Sequence, residues 1–297
     1  PSQLPTLDFS FINDSATTDI CTPSLPAARP ILKPDHANGG PFSEIATAAP
    51  GLRFSEHLPE LAKAADRLAV LRGLSTSEGD HSRATYLMRT GHRPGGAIRY
   101  PTIGAALAKE TGDASRALPN FVSVAPFVSI NPAAFGPGFL GPRHAPLTVS
   151  PRGGDPAAGG FAELGVDDLR RSAGIAGDQM QTRQRLWTQL EEGFLANHRT
   201  AAPVAHHTVY ERAMHMLESD AARGFDLSEE PDDVRTAYGS GVFGQACLMA
   251  RRLVERGVPF VEVSFGGTGG GLGWDTHQNN FDAVRQLSGE LDRGWAT

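Results

Sequence analysis

The chain of 297 residues is 40% hydrophobic, enough for a sizeable core arranged as one large domain or two small ones. Its net charge of -6, from 33 acidic against 27 basic residues with no long basic run, argues against nucleic acid as the main partner. Cys21 and Cys247 are too few for a disulfide framework or a cysteine-based zinc site, and no apolar run approaches the ~18 residues of a membrane span.

Residues 1–40 read as an irregular N-terminal segment in which Pro1, Pro5, Pro23, Pro26, Pro30 and Pro34 forbid long helices. No charged-then-apolar signal segment opens the chain, which begins at Pro1. The remainder, 41–297, reads as one α/β domain. Leu58, Leu61, Ala62, Ala65, Leu68 and Ala69 share a helical face, and Leu68 to Leu71 reads equally as a short buried strand. The polar cluster Glu78-Gly79-Asp80-His81-Ser82-Arg83 leads into a helix that ends at Gly91. A second helix spans Thr102 to Glu110, with Pro101 at its start and Gly112 past its end. Asn120 to Val124 reads as a strand, 126–160 as a Pro- and Gly-rich loop excursion, and 167–219 as a helical region. Leu186, Trp187, Leu190, Phe194 and Leu195 form the expected inner face of that region. A helix over Val242 to Arg256 carries Phe243, Ala246, Met249, Ala250 and Leu253 as its stripe and stops at Gly257. Val258 to Phe265 is a buried strand, followed by a glycine run to Gly271 and by Gly273-Trp274-Asp275-Thr276-His277 at the mouth of a last helix. Helices alternating with Val-rich strands point to an α/β layer fold.

Two Asp/His combinations carry the chemistry. Asp275 and His277 follow a strand, where ligands bind in open α/β sheets, and offer a carboxylate and an imidazole to a divalent metal. Asp275 also reads as the N-cap of the last helix, with His277 a solvated first-turn residue. Asp80 and His81 stand at a helix N-terminus, where outward N–H groups favour an anion, and Arg83 adds a bidentate grip on phosphate or sulfate oxygens. Ser82 reads as a nucleophile if a metal or base activates it, or else Asp80 and Ser82 merely cap the helix. His92 and Arg93 are further candidates for substrate contact.

The runs Gly40-Pro41-Phe42-Ser43-Glu44-Ile45, Ser55-Glu56-His57-Leu58-Pro59, Gly79-Asp80-His81-Ser82-Arg83-Ala84-Thr85, Gly136-Pro137-Gly138-Phe139-Leu140-Gly141-Pro142, Phe243-Gly244-Gln245-Ala246-Cys247-Leu248 and Trp274-Asp275-Thr276-His277-Gln278-Asn279-Asn280-Phe281 are similar to a bacterial family. It is the sulfatase-like "domain of unknown function 1501" family, placed in the alkaline phosphatase superfamily. The resemblance covers residues 31–297 and implies an alkaline-phosphatase-like sandwich with a mostly parallel sheet flanked by helices. By analogy it implies hydrolysis of phosphate or sulfate esters, on a small molecule or a glycan, at a divalent ion (Zn, Mg, Mn or Ca). On that chemistry Asp275 and His277 hold the ion, Asp80 and His81 stand at the opposite lip and bind metal or orient substrate, and an exported location, periplasmic or at the cell surface, goes with the family. Two departures qualify the match. Pro5 stands where the family places an Asp after its opening Gly-Gly-Pro-Ser, which leaves Ser2 and Asp8 as loose matches. The chain also ends at Thr297, before a Gly-Glu-Phe-Gly-Arg-Thr-Pro stretch and an Asp-His pair. The expectation is therefore a fragment incomplete at its C-terminus, with low or no activity of its own. The alternative is a non-catalytic module that binds an anionic glycan or a protein, with the acidic stretch from Asp226 to Asp233 as its surface.

Overall fold

The computed structural model describes residues 41–70, 76, 78–113, 116–154, 156–167, 177–198, 201–266 and 273–297. Ser2 and Asp8, Leu71 at the end of the ambiguous helix-to-strand segment, and the glycine run at 267–271 lie outside the described residues.

The first elements form a small satellite of the main sheet. Strands β1 (Glu44–Ala46) and β2 (Arg53–Ser55) pair antiparallel with Ile45 opposite Phe54, and Phe54 is buried. Helix α1 (Pro59–Lys63) is shorter than its apolar face suggests, and a 3-10 turn, Ala65–Arg67, follows it. Pro59 opens it as a residue with no N–H to satisfy. The next two N–H groups, of Glu60 and Leu61, donate to the Asp292 carboxylate at 3.0 and 2.8 Å. Asp292 belongs to the last helix, α8 (Asn280–Ala296), so one helix caps another from across the core. Leu68 and Val70 pack against this core without forming a strand.

Helix α2 (His81–Thr90) ends at Gly91, whose φ of 74° lets its N–H close the last turn on the Leu87 carbonyl. Helix α3 (Ile103–Thr111) starts from Thr102, whose hydroxyl accepts from the Ala105 N–H. Both match the sequence signals. The main sheet has four strands in the order β5 (Glu163–Gly165), β4 (Leu147–Gly153), β3 (Val122–Val124), β6 (Val261–Val263). β3 runs parallel to β4 and β6, while β5 is antiparallel to β4. The fold is thus mixed α/β, with a parallel centre and one antiparallel edge. The 126–160 excursion is not loop throughout: after a series of 3-10 turns it supplies β4, in which Val149 is buried at the sheet centre. Its prolines and glycines govern the approach to the strand and hide the Leu147-Thr148-Val149 run that forms it.

Helices α4 (Gly177–Asn197) and α5 (Ala201–Glu218) occupy the predicted helical region, but the expected inner face is turned outward. Leu186, Leu190 and Phe194 are exposed, and only Trp187 and Leu195 are half-buried. Periodicity finds an apolar stripe without saying what it faces. Helices α6 (Asp232–Tyr238) and α7 (Val242–Glu255) follow. α7 is the spine of the molecule, with Phe243, Ala246, Leu248, Met249 and Leu253 all buried. It crosses α8 closely: a Cβ on Gly294 would stand 2.9 Å from the Phe243 ring and 3.3 Å from the Gly244 Cα. One core gathers Phe54, Leu61, Phe243, Trp274, Val284 and Leu291, a second gathers β3, β4 and the far side of α7, and a smaller third sets Phe121 against Ala105 and Ala108 of α3. Among the described residues, no helix is long and apolar enough to cross a membrane.

Candidate functional site

Helix α2 begins where it does because of Asp80. Its backbone is extended, at φ -111° and ψ 130°, and its Oδ1 accepts from the Arg83 N–H at 2.9 Å. For Asp80 the capping reading therefore holds in the structure. Capping sets His81 as the first helical residue and Ser82 and Arg83 as the rest of the opening turn. Asn131 Nδ2 donates to the Ser82 carbonyl at 3.0 Å and ties that turn to the 3-10 segment beyond β3. Glu78, buried just upstream, accepts from Arg83 Nε at 2.8 Å and from the Gly79 N–H at 3.1 Å. The Arg83 hydrogen bond outweighs the effect of burial and holds the Glu78 carboxyl below its ordinary range, while Glu78 raises the Arg83 guanidinium. Arg83 itself remains 58% exposed.

The second segment comes from the other end of the chain. Trp274 is buried and packs edge-on against Phe265, at 5.8 Å between ring centroids, which anchors the residue after it. Asp275 Oδ2 lies 2.8 Å from His81 Nε2 and 2.8 Å from His277 Nε2. The Asp275 side chain is 12% exposed, against 26% for His81 and 80% for His277. His277 and Asn279 take positive φ values of 41° and 52°. Left-handed backbone at a residue other than glycine costs roughly 1 kcal/mol or more, and here it folds the His277 ring back onto Asp275. α8 begins only at Asn280, and its N-cap is Asn279 without a side-chain bond. Asp275 is therefore no helix cap.

Three of the four expected metal positions thus come together, His81, Asp275 and His277, whereas the Asp80 carboxylate is turned to its own helix. His92 and Arg93 lie past the other end of α2, whose ten residues span ~15 Å, and His92 stacks on Tyr100 at 3.6 Å. Two carboxylates escaped sequence reasoning. Glu78 carried the signal of an acid next to an Asp/His pair. Glu262 is the lone acid of an apolar strand, and it pairs with Arg89, whose side chain is 3% exposed. Arg89 Nε also donates to the Ala134 carbonyl at 2.7 Å, and the Ser123 hydroxyl donates to Glu262 at 2.9 Å. The pair rivets α2 to β6 and β3.

Two imidazoles and a carboxylate are a donor set suited to a borderline divalent ion. As placed, the three are hydrogen-bonded to one another, and among the described residues no group of three or more His, Cys, Asp or Glu side chains encloses an ion position. The donor types fit such an ion; as placed, both rings meet the carboxylate through Nε2.

No curated protein and no solved structure matches the chain. A family model described as a protein of unknown function (DUF1501) matches it over residues 1–297, and the chain belongs to that family.

Proposed function

We propose that the chain carries a hydrolytic centre for phosphate or sulfate esters, in which His81, Asp275 and His277 hold one divalent ion (Zn, Mg, Mn or Ca) and the first turn of α2 meets the anionic oxygens. The observation behind this reading is the Asp275 Oδ2 shared at 2.8 Å by two imidazoles, one of them 194 residues away in sequence. Each ring meets that oxygen through Nε2, which carries the proton in one tautomer of the neutral ring. Without those two protons, two nitrogen lone pairs and an oxygen lone pair converge there.

When bound, the ion would polarise an ester oxygen and lower the pKa of a hydroxyl or water nucleophile. The protein's own residues do the rest. Asp275 gathers both rings at its Oδ2, each through Nε2. Glu78 holds one edge of Arg83, through Nε and Nη2, and leaves the solvent-facing side of the guanidinium to an anionic oxygen. The helix N-terminus adds its partial positive charge. Ser82 stands beside His81 in the same turn as the hydroxyl candidate for attack, with water as the other nucleophile.

The test uses a variant with Trp187→Phe and Trp295→Phe, so that only Trp274, next to Asp275, fluoresces. Zn²⁺ or Mn²⁺ is expected to change its emission to saturation, and His81→Ala and Asp275→Asn to abolish the change. Hydrolysis of p-nitrophenyl phosphate and p-nitrophenyl sulfate is followed in parallel. An ion response that survives both substitutions, or none at all, defeats the metal reading. Ion binding without turnover of either ester accords with the low or no activity expected of this chain, and turnover lost in both variants would overturn that expectation.

A further inference from the structure

We propose that Arg143, His144 and Arg212 form an oxyanion site that shares no residue with the His81–Asp275–His277 centre and takes a phosphate or sulfate group, free or as the ester end of a larger molecule. The 3-10 turn Pro142–His144 closes through the Ala145 N–H, which donates to the Pro142 carbonyl at 3.0 Å, and it packs against both α3 and α5. Arg212 of α5 reaches across and donates from Nη1 to the Arg143 carbonyl at 2.6 Å. A guanidinium has five N–H donors, and this bond uses one of them. Arg143 is exposed while Arg212 and His144 are half-buried, so solvent reaches all three.

A tether between α5 and the turn does not account for the charges. Among the described residues neither arginine is paired with a carboxylate, and the charged group that acts on Arg212 is another cation, Arg143. Burial first, and then Arg143, pushes the Arg212 guanidinium down. Arginine keeps its proton all the same, so the cost stays in the folded protein until an anion offsets it. His144 is pushed down in the same way, by burial and then by Arg143 of its own turn, Arg212 from α5 and Lys109 from α3. Lys109 has Glu110 beside it at 3.1 Å and adds field rather than a contact. Two guanidinium forks and the N–H that a neutral imidazole keeps suit the three terminal oxygens of a phosphate or sulfate group, whereas a carboxylate offers only two.

Proton NMR of the His144 ring, assigned by the loss of its signal in His144→Gln, tests this on the full chain, with a chelator present to keep metal ions from His81. Inorganic sulfate and glucose 6-sulfate are titrated separately, with the ionic strength held constant by chloride. Bound anion favours the protonated ring, so the His144 pKa is expected to rise toward its ordinary range. A response to both anions assigns the site to the ester end of a larger molecule, and a response to inorganic sulfate alone assigns it to the free ion. Arg143→Gln keeps the backbone carbonyl that Arg212 grips and removes one cation. It is expected to weaken sulfate binding about tenfold, as the loss of one charge-assisted contact does. Arg67→Gln, which removes an exposed arginine elsewhere, is expected to leave the binding unchanged. A His144 ring that responds to neither anion, or that chloride moves as far as sulfate does, overturns the proposal. Unaltered sulfate affinity in Arg143→Gln overturns it as well.

Discussion

Asp275 is held by its surroundings on one side and holds two rings on the other. The buried Trp274 fixes its backbone, and its Oδ2 is the acceptor that His81 and His277 share. The two histidines are unequal in their dependence on it, because His277 is 80% exposed and water can replace its partner, whereas His81 is 26% exposed. Asp275→Ala is therefore expected to cost about 1–3 kcal/mol, the usual penalty for withdrawing an acceptor from a partly buried donor. His277→Ala is expected to stay within about 0.5 kcal/mol of the parent. Urea unfolding of both variants checks the order. Equal losses would mean that His277, despite its exposure, is part of the packed structure. Asp80 and Asp275 make a useful contrast at this scale. Both precede helices and both are good caps by residue type, yet only Asp80 accepts from an N–H of the following turn. The difference lies in the backbone between Asp275 and α8, where two left-handed residues delay the helix, and no propensity argument anticipates that.

Among the elements, α7 and the segment before α6 are joined by charge. The Arg252 side chain is 4% exposed and reaches Glu229 Oε2 at 2.7 Å and also Glu230. Arg223 and then Arg252 hold the Glu229 carboxyl below its ordinary range. Burial pushes Glu230 up, but hydrogen bonds from Arg252 and Arg251 more than reverse it. Both folded-state pKa values are therefore lower than the unfolded ones. Their contribution is complete above the ordinary carboxylate range near ~4.3 and is lost as pH falls through the lowered values. Denaturant titrations are expected to show Glu229→Gln/Glu230→Gln less stable than the parent at pH 7, with the gap closing below about pH 4. A gap that persists in acid would assign the loss to packing instead. Elements with two independent signals, such as Thr102 and Gly112 around α3 or the stripe and Gly257 of α7, were legible in the sequence. Elements defined by a distant partner were not. α1 needs Asp292, more than two hundred residues away, to satisfy its first turn. β4 is marked as a strand only by its place beside β3. α4 has one apolar stripe, and nothing local says that α5 meets it at Trp187 and leaves Leu190 exposed. In the site, His81, Asp275 and His277 were legible as members of Asp/His pairs at the mouths of helices, while Glu262 was hidden as one acid in a Val-rich strand.

Across the whole molecule the two larger cores meet at α7 and β6, since Cys247 and Val263 pack against both. Burial pushes the Cys247 thiol up to about 12, far from the thiolate form that reacts. In a Cys21→Ser background, a thiol reagent near pH 8 is expected to label Cys247 very slowly in the native protein and rapidly in urea. The urea dependence of the native rate is expected to match that of global unfolding, because both cores must part to release the thiol. A shallow dependence would reveal local opening between α7 and β6. The Arg89–Glu262 rivet has a consequence of its own. A rod fastened at one end swings; fastened at both ends, it keeps its bearing. α2 is pinned to the sheet at Arg89, near its tail, and carries His81 and the cap that sets its head. The angle at which the His81 ring approaches Asp275 is then a property of the sheet rather than of the surface. Substitutions on the solvent side of α2 can accumulate without detuning that approach, whereas Glu262, which touches none of the three rings and carboxylates in question, acts as the instrument's alignment screw.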